Sequence, residues 1–237
     1  MRFSHLSIPA LALALSACGS QGGDGAVADR SGTEAEAEPT ARPDIAVEGP
    51  ERRILAFGDS LFAGYGIGRE NSYPALLEDA LRAQGINARV TNAGISGETS
   101  GAGAQRLAFT LDAQEQKPDL VLLELGGNDL LRGLSPEETR INFETMLDTL
   151  ERRDIPVLLM GMRAPPNYGP EFQQQFDALY GDLARQYDVA LIPFWLQAIY
   201  QDPRLFQADR IHPTVPGIEA LVADTADEVA GALPPAG

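Results

Sequence analysis

Short apolar runs alternate with longer segments of mixed polarity from residue 51 onward. The short runs are almost continuously apolar, which is typical of strands buried on both faces of a parallel sheet. The longer segments repeat apolar residues at helical spacing. The alternation predicts an α/β domain, a three-layer α/β/α sandwich with a central parallel sheet of about five strands. Strands are predicted at 53–57, 88–91, 119–125, 156–160 and 189–192, and helices at 74–81, 136–153, 171–187 and 215–232.

The N-terminal residues 1–17 have the pattern of an export signal. Arg2 precedes an apolar run, Leu6–Leu15, which at about ten residues is too short to cross a bilayer as a helix. The run leads into Leu15-Ser16-Ala17-Cys18, which resembles a bacterial lipobox, whose cysteine is lipidated. Cys18 is the only cysteine, so no intrachain disulfide can form. The alternative is ordinary signal cleavage near 12–14 or at Ala17, which leaves a plain thiol.

These features predict an exported protein on the periplasmic side, held to a membrane through a lipid on Cys18. Gly19 after the cysteine resembles the residue choice of outer-membrane lipoproteins, which favours the outer membrane. Residues 18–50 are rich in Gly, Ala, Glu and Pro and have no apolar periodicity. They therefore predict a disordered acidic linker before a single domain at 51–237, a tail without a role being the alternative.

The formal net charge of −16 argues against nucleic acid as a partner, since a polyanion is repelled by such a surface. Only one histidine follows residue 17, so a zinc site is not expected. Walker A, dinucleotide-binding, His-Glu-x-x-His and Gly-x-Ser-x-Gly motifs do not occur. The sequence predicts a small-molecule substrate and no metal or organic cofactor, and it carries no signal for oligomeric state.

That single histidine, His212, is the one candidate for an imidazole base. Asp209 lies three residues before it, and the turn Gly58-Asp59-Ser60-Leu61 directly follows the first predicted strand. A serine, an imidazole and an orienting carboxylate are the groups of serine-dependent ester hydrolysis. The segments 92–94 and 126–129 follow the next two strands, and ligands of open parallel sheets bind at the carboxyl ends of the strands.

Four blocks in this order resemble the SGNH hydrolase family, also called the GDSL family. They are 57–61, 92–99, 125–133 and 209–213, and Pro166–Gly169 adds a match to its bacterial arylesterase, acyl-CoA thioesterase and lysophospholipase subgroup. The resemblance covers roughly 53–232 and implies the flavodoxin-like SGNH fold. It implies Ser60 as nucleophile, His212 as base and Asp209 as its orienting acid. The implied oxyanion hole comprises the N–H groups of Ser60 and Gly94 and the side chain of Asn128.

Each of these residues also has a structural explanation. Ser60 could cap a helix, His212 could be an ordinary loop residue, and Asn128 could belong to a turn. The hydrolase hypothesis rests on their occurring together. Asp59 and Asp129 are implied by the resemblance to brace turns through backbone hydrogen bonds.

Three leucines follow the asparagine block in the stretch 130–134. A loop normally avoids so much exposed apolar surface, and the resembling subgroup has a mobile substrate-binding loop here. Leu130, Leu131 and Leu134 are therefore predicted to line an acyl groove, with Gly133 letting the loop shift. The alternative is that the leucines pack inward.

The predicted function is a serine esterase that forms an acyl-enzyme intermediate with small acyl or aryl esters. Thioesters and lysophospholipids are further substrates implied by the resemblance. The alternatives are a carbohydrate O-deacetylase of the same family and a non-catalytic binding lipoprotein.

Overall fold

The computed structural model describes residues 45–235. The predicted signal peptide, Cys18 and most of the predicted linker lie outside this range. No helix within it is both long and apolar enough to cross a membrane. The strands are β1 (Arg52–Gly58), β2 (Ala88–Gly94), β3 (Leu120–Leu123), β4 (Val157–Met160) and β5 (Ala190–Ile192), and the helices are α1 (Ser60–Ala63), α2 (Tyr73–Ala83), α3 (Ser100–Asp112), α4 (Gly127–Arg132), α5 (Pro136–Glu151), α6 (Pro170–Tyr187) and α7 (Val215–Ala232).

The five strands form one parallel sheet in the order β2-β1-β3-β4-β5, which confirms the sequence prediction. The strand order changes direction at β1: β2 is added on one side of β1, and β3, β4 and β5 are added on the other. A crevice for ligands forms at the carboxyl ends of the strands beside such a reversal. The loops that carry Ser60 and Asn128 begin at that crevice, because they follow β1 and β3.

The helices form two layers. α2 packs on α7, whereas α5 packs on both α3 and α6. Right-handed crossovers in this strand order place α2 on one face of the sheet and α3, α5 and α6 on the opposite face. α7 follows the last strand and lies on the α2 face, because it packs on α2. β3 and β4 are buried along their whole length, which agrees with their unbroken apolar sequences. This is the predicted three-layer sandwich.

Several local features differ from the sequence expectation; the strand predicted at 119–125, for example, spans only Leu120–Leu123. α3 was not predicted, because its start, Ser100–Ala104, contains two glycines and little helical pattern; the Thr99 hydroxyl caps it by accepting from Ala102 N at 3.3 Å. β2 continues to Gly94, three residues past its predicted end, because it pairs with β1 as far as Gly58. The stretch expected to be a loop at 130–132 forms the end of α4.

Residues 45–50, the end of the predicted linker, form neither helix nor strand. They nevertheless contact the domain, since Arg82 Nε donates to Ile45 O at 2.8 Å and Asn87 Nδ2 donates to Gly49 O at 2.9 Å. Hydrogen bonding to the domain therefore begins a few residues before the predicted boundary at 51.

Candidate active site

Ser60, His212 and Asp209 form a connected line of side chains at the crevice. Ser60 is the first residue of α1, directly after the strand that ends at Gly58. Its Oγ lies 2.9 Å from His212 Nε2, and His212 Nδ1 lies 2.7 Å from Asp209 Oδ2. A carboxylate can only accept a hydrogen bond, so in a neutral ring the proton lies on Nδ1, which donates to Asp209. Nε2 is then unprotonated and can accept the hydrogen of the serine hydroxyl.

A compact loop holds Asp209 in place. Its Oδ1 accepts from the N–H groups of Ile211 at 2.9 Å and His212 at 3.1 Å. Partial burial raises the pKa of Asp209, but the hydrogen bonds from the His212 ring and from these two N–H groups outweigh it and lower the pKa to about 2. Asp209 is therefore a carboxylate throughout the neutral range and can stabilise an imidazolium.

Packing on the outer side fixes the position of the imidazole. The ring of Tyr65 lies 4.3 Å from the His212 ring, centroid to centroid, at an interplanar angle of 32°. Gln207 ties the two segments together, because its Nε2 donates to Tyr65 O at 2.8 Å and to Pro213 O at 2.9 Å. No sequence motif marks Tyr65 or Gln207, so neither could be assigned a role from the sequence.

Gly94 does not have the position expected of an oxyanion-hole donor. Its N–H donates to Asn92 Oδ1 at 2.9 Å, so it is already engaged. A Cβ at this position would lie 2.5 Å from Ala63 N, so the glycine is required by the close approach of α1. Gly97, three residues further on, lines the cavity beside Ser60 and has φ +80°. Within residues 45–235, its N–H donates to no atom, and neither does that of Ser60.

Asn128 lies in the first turn of α4 and lines the same cavity as Ser60. Its Nδ2 donates to Asp59 Oδ2 at 2.8 Å, which orients the amide. The other Asp59 oxygen accepts from Leu61 N at 3.0 Å and caps α1. Asp59 thus braces the nucleophile turn, as expected, and also holds Asn128, which the sequence did not indicate.

Two buried carboxyl groups lie behind the nucleophile turn. Asp59 is 1 % exposed and Glu124 is fully buried, with Asp59 N donating to Glu124 Oε2 at 3.2 Å. Burial raises the pKa of Asp59 to about 6, against the hydrogen bonds from Leu61 and Asn128. Burial, reinforced by the charge on Asp59, raises the pKa of Glu124 well above its ordinary value. Burial and the neighbouring Asp59 therefore both favour the neutral form of Glu124.

Asp129 is the second bracing aspartate. Its Oδ2 accepts from Ser100 N at 2.8 Å, and its Oδ1 accepts from the hydroxyl groups of Ser100 and Thr139. It joins the starts of α3 and α5 to α4, and it is completely buried. The expected bracing role agrees with these contacts.

The cavity beside Ser60 has a volume of about 580 Å³. Its wall is mostly apolar, and it includes two of the three predicted leucines. Leu130 is buried and Leu131 is 58 % exposed, whereas Leu134 is half-buried and does not line the cavity. The prediction for Leu134 is wrong because the turn at Gly133, with φ +67°, leads the chain away from α4. The remaining apolar lining comes from Leu61, Met162, Tyr168, Phe194, Leu196 and Phe206, among others.

Comparison with known proteins agrees with this geometry. Residues 56–220 match the model of the GDSL-like lipase/acylhydrolase family, and the chain belongs to that family. It is 41% identical over 162 residues to esterase TesA of Pseudomonas aeruginosa, covering 68% of this chain and 80% of that protein. It is 41% identical over 160 residues to thioesterase 1/protease 1/lysophospholipase L1 of Escherichia coli K12, covering 68% and 74%.

Among solved structures, AlinE4, described as an SGNH-hydrolase family esterase, is 58% identical, with a TM-score of 0.67. The match covers 79% of this chain and 99% of that one. The predicted family, fold and enzyme class are confirmed: the chain is an ester hydrolase with the SGNH fold.

Proposed function

We propose that the chain hydrolyses carboxylic esters through a covalent acyl-serine intermediate on Ser60. The observation that carries this mechanism is the line from Ser60 Oγ to His212 Nε2 at 2.9 Å and from His212 Nδ1 to Asp209 at 2.7 Å. Ser60 attacks the carbonyl carbon while His212 takes its proton. The imidazolium then protonates the departing alcohol. A water molecule, deprotonated by His212, attacks the acyl-serine, and the acid leaves as Ser60 recovers its proton.

The oxyanion of each tetrahedral intermediate needs donors at the mouth of the cavity. We assign the N–H groups of Ser60 and Gly97 and the Nδ2 group of Asn128 to this role. Asn128 uses one hydrogen of Nδ2 on Asp59, which leaves the second hydrogen for the substrate. Gly97 replaces Gly94 because its N–H is unengaged among the described residues and because it lines the cavity.

The mostly apolar lining supports acyl esters as substrates, with the acyl chain against Leu130 and Leu131. Thioesters and lysophospholipids fall within the same chemistry, and one relative is named for both activities. An apolar wall does not favour a carbohydrate O-deacetylase, because a sugar would leave its hydroxyl groups without hydrogen-bond partners there.

An active-site phosphonate ester tests the mechanism. The wild type is expected to acquire one phosphonyl adduct, located on Ser60 by peptide mass spectrometry, while Ser60→Ala stays unlabelled. Ser96→Ala is the matched control, since Ser96 lines the same cavity but lies outside the catalytic line. Labelling of Ser96, or of the Ser60→Ala variant, would contradict the assignment.

Truncating Leu131 to alanine is expected to weaken hydrolysis of long acyl esters more than that of acetyl esters. Each methylene gripped contributes up to about 0.8 kcal/mol, so octanoyl esters should lose about tenfold more in kcat/KM than acetyl esters. Leu134→Ala is the control, because it is equally apolar but does not line the cavity. Equal losses for both esters in Leu131→Ala would show that this leucine supports the fold and does not contact the acyl chain.

Export and anchoring through Cys18 are proposed on the sequence of residues 1–18. The lipobox-like Leu15-Ser16-Ala17-Cys18 supports a lipid on the cysteine and a periplasmic position, with the outer membrane favoured by Gly19. Metabolic labelling with palmitate should mark the wild type in the membrane fraction. An unlabelled wild type, or equal labelling of Cys18→Ala, would contradict the anchor.

A further inference from the structure

Two arginines line the cavity of an otherwise acidic protein. Arg163 and Arg210 are both exposed, and neither forms an ion pair with any residue in 45–235. The one carboxylate in the lining is Asp59, which is buried and already bonded to Leu61 and Asn128. Against a net charge of −16, the cavity lining therefore carries two guanidinium groups without a carboxylate partner among residues 45–235.

Arg210 has an unusual backbone conformation. Its φ is +59°, and the other non-glycine residues described with positive φ are both aspartates, Asp154 and Asp188. Aspartate tolerates this region through local hydrogen bonds of its short side chain, which arginine cannot form. The turn is held by Arg210 N donating to Gln207 O at 2.9 Å and by the two N–H groups bound to Asp209. A strained backbone conformation next to the catalytic histidine indicates a functional constraint on this loop.

The position of Arg210 indicates which part of the ester it meets. His212 Nε2 must reach the departing oxygen to protonate it, so the alcohol part of the substrate lies on the His212 side of Ser60. Arg210 belongs to the same loop, two residues before His212, and lines the same cavity. Arg163 follows β4, and its guanidinium stacks over Phe194 at 5.1 Å, which leaves its N–H groups free to face the cavity.

We propose that Arg210, assisted by Arg163, binds a negative charge on the alcohol part of the substrate. The preferred substrates are then acyl esters of alcohols that carry a carboxylate or a phosphate, ahead of esters of neutral alcohols. The planar guanidinium fork matches both anions and binds them through charge-assisted hydrogen bonds. The inference rests on the proposed esterase function and adds the class of alcohol to it.

The test compares two chromogenic esters of the same acid, 4-nitrophenyl butyrate and 3-carboxy-4-nitrophenyl butyrate. The measured quantity is the ratio of kcat/KM for the anionic ester to that for the neutral ester, divided by the ratio of their rates with hydroxide. Arg210→Gly is expected to lower this ratio at least about tenfold, the effect of one lost charge-assisted hydrogen bond. Arg210→Lys should lower it less, and Arg152→Ala, which removes an exposed arginine remote from the cavity lining, should leave it unchanged.

Two further readouts separate binding of an anion from support of the loop. Glycine suits a φ of +59°, so Arg210→Gly should melt at the same or a higher temperature than the wild type. Added sodium chloride should lower the wild-type ratio through screening and have little effect on that of Arg210→Gly. A ratio that falls while stability is kept supports the proposal.

A second pair of substrates identifies the anion. Butyrate esters of 2-hydroxyethyl phosphate and of ethylene glycol repeat the comparison with a phosphate in place of the carboxylate. A loss in either pair supports the proposal and shows which anion is bound. An unchanged ratio in both pairs, or equal loss of the anionic and the neutral ester, would overturn it. Failure of the wild type to hydrolyse any of these esters would instead contradict the proposed esterase function.

Discussion

Replacing Ser60 or His212 by alanine is expected to lower kcat for ester hydrolysis by about 10⁴–10⁶, with the fold intact. Ser60 Oγ and His212 Nε2 are 2.9 Å apart, so each group depends on the other to form the nucleophile. The double variant should therefore lose no more than either single variant. Steady-state kinetics on 4-nitrophenyl butyrate gives kcat for the single and double variants and tests both expectations. Thermal unfolding checks that the variants are folded.

Asp209→Asn separates orientation from charge. An asparagine of the same shape cannot stabilise the imidazolium, and it can turn its amide nitrogen toward His212 Nδ1, which favours the wrong tautomer. The decrease in kcat for Asp209→Asn is expected to be smaller than, or close to, the decrease for His212→Ala. Full activity in His212→Ala would contradict the proposed base, since no other histidine lies within residues 45–235.

Much of the architecture and the catalytic line could be predicted from sequence. Strands such as 120–123 consist only of apolar residues, which predicts burial on both faces of the sheet. The parallel sheet therefore follows from the sequence pattern alone. His212 could be identified by elimination, because it is the only histidine after residue 17. Asp209 and Ser60 follow from their positions beside it and after β1.

The errors occurred where tertiary contacts decide a role. Two glycines in one block, Gly94 and Gly97, look alike in sequence, and only the close approach of α1 shows that the first serves packing. Glu124 follows the apolar strand β3, and its pairing with Asp59 depends on the strand order. Leu134 differs from Leu131 only through the turn at Gly133. The proposed role of Arg210 could not be predicted, because a left-handed backbone conformation at an arginine has no sequence signal.

Asn128→Ala is expected to lower kcat by about 10²–10³ with a small change in KM, because the oxyanion it stabilises exists only in the transition state and the intermediates. Asp59→Asn should lower kcat in the same direction. Asp59 Oδ2 accepts from Asn128 Nδ2 at 2.8 Å, and an amide at residue 59 removes the charge that fixes this contact. In the Asn128→Ala background, Asp59→Asn should cost much less, since the group it positions is gone.

Asp59→Asn is expected to have opposite effects on activity and on stability. The pKa of Asp59 is about 6 in the folded protein against an ordinary 3.8, so the folded state binds more protons between these two values. Its contribution to the free energy of unfolding therefore increases as the pH falls from about 6 to about 4, and at pH 7 the buried charge costs up to about 3 kcal/mol.

Asp59→Asn is expected to be more stable than the wild type at pH 7 and to lack this rise toward pH 4. Urea unfolding at pH 4, 5, 6 and 7 measures the difference. A variant that loses activity while gaining stability shows that the buried charge serves Asn128, whereas a parallel loss of both would show that Asp59 is needed mainly for the fold.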